Sequence, residues 1–219
     1  MATRSRDKYF SYNDSADIIT VSTVRLALER TMKSKTFIFS SIILAIISLV
    51  SATILTLEKI QLWKDPSYVP SCSWNPLFSC QGPMNSWQSS LFVVPNPIIG
   101  MMGFAMVITI LIISLSVTFP KKIWGLYLIG IALAFIFIIW LMFQTLYVIG
   151  ALCIYCMVVW AALIPLFWLT AAAFVKEYYS KSKLMIISSM LPSFIIITYG
   201  IFIALIYTQF HTFFNQLIT

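Results

Sequence analysis

Charge is what this sequence has least of. Only 10% of its 219 residues are Asp, Glu, Lys or Arg, and 60% are hydrophobic. Soluble domains carry about 25% charged and roughly 45–50% apolar residues. A water-soluble globule of this size cannot bury so much apolar surface, which leaves an integral membrane protein. Internal repeats and low-complexity segments are missing as well, and the length suits one helical bundle with little left for a second domain. Histidine is reduced to His211, and cysteine to four residues.

The charges that exist are unevenly placed. A bilayer core of about 30 Å needs about 20 apolar helical residues to cross it. Charge-free runs of that kind extend over Phe37 to Leu57 and Ile98 to Phe119. Ile123 to Val175 is 53 residues without a charge, enough for two spans with a turn near Tyr147 to Gly150. Leu184 to about Gln209 supplies a fifth. Backbone groups in a bilayer must be satisfied internally, so these runs are expected to be helices. Of the 14 Lys and Arg residues, 12 fall before span 1, between spans 2 and 3, or between spans 4 and 5. The positive-inside rule then sets the N-terminus in the cytoplasm and the C-terminus outside. Net charges of +3, +2 and +2 on the three inner segments account for the whole formal +7. Nucleic acid is therefore an unnecessary partner for this basic chain. Span 1 begins late and is long enough to span, so it reads as a signal anchor rather than a cleaved leader. A weakly amphipathic stretch from Ala16 to Met32 is expected on the inner surface.

This divides the chain into an N-terminal cytoplasmic tail (1–36), a four-span unit (37–175) and a cytoplasmic connection with the fifth span (176–219). One connection is long, the outer loop 58–97. Loops beyond about 12–15 residues are usually functional or disordered, and Trp63, Tyr68, Trp74, Phe78, Trp87 and Phe92 argue against disorder. Trp87, Leu91 and Val94 share a helical face, so Asn85 to Val94 is expected as a half-helix at the membrane interface; an aromatic belt anchoring the loop is the alternative. Asn96, between Pro95 and Pro97, is expected to cap span 2 or to face a ligand at the bilayer boundary.

The cysteines all fall on the outer side. Cys72 and Cys80 lie in the loop, and Cys153-Ile-Tyr-Cys156 opens span 4, which runs inward. Structural disulfides suit Cys72 and Cys80 but not a CXXC within a helix. A zinc site is disfavoured by the oxidising exterior, the wide loop spacing and the distance of His211. A relay of two dithiol pairs fits best. Exchange needs a thiolate with a lowered pKa, and the first turn of span 4 favours an anion at Cys153, the expected accessible member. Cys156 sits about 4.5 Å deeper at 1.5 Å per residue, where the natural acceptor is a lipid-soluble quinone. The loop pair is expected to face water and meet a soluble thiol protein, with loop flexibility carrying Cys80 to Cys153.

Cys72-(X7)-Cys80, Ser86, Asn96-Pro-Ile-Ile-Gly100 and Cys153-Ile-Tyr-Cys156 together resemble the vitamin K epoxide reductase family, particularly its bacterial members, over roughly residues 37–175. The resemblance implies a four-helix transmembrane bundle around a quinone of menaquinone or ubiquinone type, with the fifth helix peripheral. Cys156 would react with the quinone, Cys153 would exchange with the loop, and Cys72 would meet a secreted thioredoxin-like or DsbA-like partner. Asn96 would hydrogen-bond a quinone carbonyl and Ser86 would support the loop. Trp160 stands where the animal enzymes have a tyrosine, so a hydroxyl contact to the quinone, and activity on an epoxide, lose their basis. Many bacterial relatives carry a fused thioredoxin-like domain; this chain stops at Thr219, so the thiol protein is expected to be separate. The unrelated four-helix quinone oxidoreductase of bacterial disulfide formation places its CXXC in the first outer loop, the reverse of the order here. A vitamin K epoxide or quinone reductase is the enzymatic alternative. A scaffold or transporter with structural disulfides is the non-enzymatic one, and spans without ionisable side chains weigh against ion or proton coupling.

Overall fold

The computed structural model describes residues 34–75, 77–91, 93–178 and 181–218, all-helical apart from one isolated β-bridge. The stretch Ala16 to Met32 lies outside the described residues. Helix α1 covers Lys35–Lys64 and a short α2 covers Gln81–Asn85, followed by a 3-10 turn over Trp87–Ser90. Helix α3 is Asn96–Ser114 and α4 is Lys121–Gln144, which widens into a π-turn over Thr145–Ile149. Helix α5 is Ile154–Tyr178 and α6 is Lys181–Ile218. Among the described residues, five helices are long and apolar enough to cross a membrane, which makes this a multi-pass membrane protein.

Helix α1 packs on α3 and α5, while α5 packs on α4 and α6. The face α1 turns inward carries Ser41, Ala45, Ser48 and Ala52. Such small residues let helices approach closely in a bilayer, and a Cβ at Gly100 of α3 would lie 3.7 Å from Ala52 Cβ. The opposite face carries exposed Phe39, Ile43, Ile46 and Val50. A helix apolar all round is what a lipid-facing span requires. Helices α4 and α5 meet through stacked Phe135 and Phe167, centroids 4.4 Å apart.

Proline explains how the last helix attaches. Pro165 inside α5 has no N–H, so the Ala161 carbonyl four residues back loses its helical donor. The Tyr199 hydroxyl of α6 donates to that carbonyl, and Trp168 Nε1 donates to Thr198 Oγ1 at 3.1 Å. The α4–α5 turn falls where the sequence placed it. Gly150 adopts φ 71°, a left-handed conformation that glycine takes without strain, and its N–H donates to Thr145 O at 3.0 Å.

Two boundaries and one element differ from expectation. Helix α1 runs on to Lys64 instead of stopping at Leu57, because Glu58 and Lys59 are drawn onto its buried face. Span 2 ends at Ser114, and the chain turns before Pro120. No single half-helix spans 85–94: Ser86 is extended, with its hydroxyl donating to Pro83 O at 2.7 Å, and it separates α2 from the 3-10 turn. Such local side-chain bonds compete with helix continuation.

Candidate redox site

The site forms where the loop folds down on the C-terminal end of α1 and the N-terminal end of α5. Phe78 pairs with Leu152 in the isolated parallel bridge. Ser79 N–H donates to Leu152 O at 3.0 Å and Leu152 N–H to Leu77 O at 2.7 Å. Two residues of extended pairing thus align the chain just before Cys80 with the chain just before Cys153. Cys72 and Cys80 form a disulfide with Cα atoms 5.7 Å apart, while Cys153 and Cys156 are free thiols. The Cys80 and Cys153 sulfurs stand 3.2 Å apart. The loop need not travel to bring Cys80 to Cys153, as the sequence suggested it would; the bridge already holds it there.

Cys153 immediately precedes α5, and its sulfur accepts the Cys156 backbone N–H at 3.4 Å. A hydrogen bond from the Cys156 side chain lowers the Cys153 pKa below the ordinary thiol range, with help from the Cys156 and Tyr155 backbone N–H groups and against burial. This favours the thiolate, the nucleophile of exchange. Accessibility departs from expectation. Cys72, Cys80 and Cys153 are 3%, 0% and 1% exposed, while Cys156 is half-buried. Cys153 is closed off because the loop lies over it. Cys72 and Cys80 are enclosed with Leu55, Leu62 and Met84, and Tyr68 packs against the cluster.

Asn96 is the first residue of α3 rather than its cap; the residue before it is Pro95, and no side chain caps this end. Its Nδ2 donates to Gln88 O at 2.6 Å, and its buried Oδ1 has no partner among the described residues. Gln88 Nε2 donates in turn to Gln144 Oε1 at 3.3 Å. Ser86 lies in the loop, its hydroxyl donating to Pro83 O at 2.7 Å. Trp160 is buried edge-on against Phe202 of α6, ring centroids 6.1 Å apart.

Four residues the sequence reading passed over belong here. Gln88 and Gln144 are joined to Asn96 only by the fold. The sequence places Glu58 and Lys59 in the loop 58–97, yet both continue the first helix and are buried. Their spacing from Leu55 and Leu62 was the available signal, since residues three, four and seven apart share a helix face.

Taken together, five helices able to span a membrane among the described residues, and a disulfide held against a third cysteine, define a multi-pass membrane protein with a cysteine cluster at one end of its bundle. The sequence model of the vitamin K epoxide reductase family matches residues 40–171, well over half of the chain, and the protein belongs to that family. It is accordingly a membrane oxidoreductase. Comparison with curated proteins found no significant match, and comparison with solved structures found none either.

Proposed function

We propose that the protein is a quinone-linked thiol–disulfide oxidoreductase that reoxidises a secreted thioredoxin-like protein and so drives disulfide formation in exported proteins. The observation that carries this reading is the 3.2 Å approach of Cys80 to Cys153, which puts both pairs within one exchange step. A thiolate of the partner attacks Cys72, the Cys72–Cys80 bond breaks, and Cys80 leaves as a thiolate. The partner's second thiol resolves the mixed disulfide and frees Cys72. Cys80 attacks Cys153 of an oxidised Cys153–Cys156 pair, and Cys156 leaves as a thiolate. Cys72 then closes on Cys80 and releases Cys153. Two electrons have moved from the partner to Cys153 and Cys156. An oxidised loop pair beside two free thiols is the product of this sequence.

A quinone, when bound, supplies an acceptor for two electrons and two protons. The residues present fit such a ring: Asn96 keeps one N–H hydrogen and an unpartnered buried Oδ1, so it can both donate and accept. Cys156 is the half-buried thiol from which electrons leave the chain, and Trp160 lies one turn further along α5. The Lys and Arg distribution supports a cell-membrane orientation with the N-terminus cytoplasmic and the redox face and C-terminus external.

The test is quinone reduction by purified protein with a dithiol donor. Wild type is expected to turn over and Cys156→Ser to be inactive; wild-type turnover in the variant overturns the assignment. In Cys80→Ser, mass spectrometry should find the partner joined to Cys72, and a partner joined elsewhere, or nowhere, counts against that role.

A further inference from the structure

The outer end of α1 holds the loop through two neighbouring charged residues. At 1.5 Å per residue α1 is about 45 Å long, roughly 15 Å more than the hydrocarbon core, so its last turns rise beside the loop. Leu55, Glu58, Lys59 and Leu62 share one face there, and both leucines belong to the apolar cluster that encloses Cys72, Cys80 and Cys153. Glu58 and Lys59 are 8% and 9% exposed. Burying a charge is unfavourable unless hydrogen bonds compensate it, and here both charges find their compensation in the loop.

They grip opposite arms of the disulfide. Glu58 takes the Cys72 arm: Oε2 accepts the Tyr68 hydroxyl at 2.9 Å, Oε1 accepts the Ser71 hydroxyl at 2.5 Å, and the Ser71 N–H lies 3.4 Å from both oxygens. The Tyr68 hydroxyl has its pKa raised by donating to this carboxylate. Lys59 takes the Cys80 arm: its Nζ donates to the carbonyl of Met84 in α2, the helix that begins directly after Cys80 and whose Met84 N–H bonds Cys80 O at 3.0 Å. The Lys59 ammonium also lies 5.8 Å from the centre of the Trp63 ring.

Cys72 must become accessible for a partner to reach it, whereas Cys80 must stay against Cys153. Adjacent residues on one helix hold these two arms separately. We propose that Glu58 and Lys59 are positioning residues with divided tasks: Glu58 closes the Cys72 arm against outside thiols, and Lys59 keeps Cys80 registered on Cys153. Releasing Glu58 lifts Tyr68 to Cys72 and opens Cys72 to attack, while the Phe78–Leu152 bridge and Lys59 retain Cys80. This rests on Cys72 being the sulfur that a partner attacks.

The experiment uses the full chain in lipid nanodiscs and needs neither quinone nor partner, so its failure is separable from failure of the quinone reading. In a Cys153→Ala, Cys156→Ala background the loop disulfide stands alone, and its rate of reduction by dithiothreitol reports the opening of Cys72. In a Cys72→Ala, Cys156→Ala background the equilibrium of the Cys80–Cys153 disulfide against glutathione reports the register. Hydrogen bonds to charged groups are strong enough that Glu58→Ala should raise the reduction rate at least about tenfold, with Glu58→Gln in between because it keeps one oxygen. Glu58→Ala should leave the Cys80–Cys153 equilibrium within about twofold. Lys59→Met should do the opposite, lowering that equilibrium about tenfold with little change in reduction rate, and Lys59→Arg should restore it. Should Glu58→Ala fail to fold, Tyr68→Phe and Ser71→Ala test the same clasp and should each accelerate reduction. Variants that move both readouts together, or neither, overturn the divided roles.

Discussion

Replacing Ser79 with proline removes one backbone donor and tests whether the Phe78–Leu152 bridge sets the sulfur-to-sulfur approach. The Ser79 N–H donates to Leu152 O at 3.0 Å, and Leu152 is fully buried. Without that donor the carbonyl is left unsatisfied beside the site, a penalty of about 1–3 kcal/mol. The penalty falls on the closed arrangement, in which Cys80 lies against Cys153. In the Cys72→Ala, Cys156→Ala background the only disulfide available is Cys80–Cys153, and its equilibrium with glutathione measures the effective concentration of one thiol at the other. Ser79→Pro should lower that constant roughly 5- to 150-fold, a rise of about 20–65 mV in reduction potential. Ser79→Ala is the control. It keeps the N–H and loses only the Oγ contacts, to Ser73 Oγ at 3.2 Å and to the Gln81 N–H at 3.3 Å, so its shift should stay below about 1 kcal/mol. An unchanged constant in Ser79→Pro, or equal shifts in the two variants, would refute the role given to the bridge.

Two further outcomes follow from the helix contacts. Cys156→Ala removes the side-chain donor that most favours the Cys153 thiolate, so the protonated form gains and the Cys153 titration should move to higher pH; cysteine-labelled NMR in a Cys72→Ser, Cys80→Ser background reads it, and a downward or absent shift contradicts the assignment. Tyr199→Phe leaves the Ala161 carbonyl open opposite Pro165 and should loosen α6 by about 0.6 kcal/mol, the average for interhelical hydrogen bonds in membranes, and by no more than about 1.7 kcal/mol. In a Pro165→Ala background the helix supplies its own donor, so a double-mutant cycle in thermal unfolding should show the Tyr199 effect shrink; an undiminished effect counts against the pairing.

What the sequence made legible was what depends on composition along the chain. Charge-free runs marked the spans because lipid tolerates no alternative, and Gly150 marked a turn because the reversal uses a left-handed residue. The cysteines could be grouped on one face from charge counting alone. Illegible were the features that depend on contacts between distant segments. The bridge at Phe78 and Leu152 is too short to leave an alternating pattern, so the loop's hold on Cys153 read as flexibility. Burial of Cys72 follows from Tyr68 and Leu62 packing around it, which exposure guessed from loop position misses. Glu58 and Lys59 end the apolar run and so mimic a membrane edge, yet their helix continues and turns them onto the site. Asn96 satisfied a capping pattern locally but found its partner in Gln88.

The order in which the pairs are oxidised tests the account most directly. Fully reduced protein would be mixed with a quinone, quenched with an alkylating agent at successive times, and mapped by peptide mass spectrometry. The account predicts that the Cys153–Cys156 disulfide appears first and Cys72–Cys80 follows, and that neither forms in Cys156→Ser. Formation of Cys72–Cys80 at an undiminished rate in Cys156→Ser would contradict it.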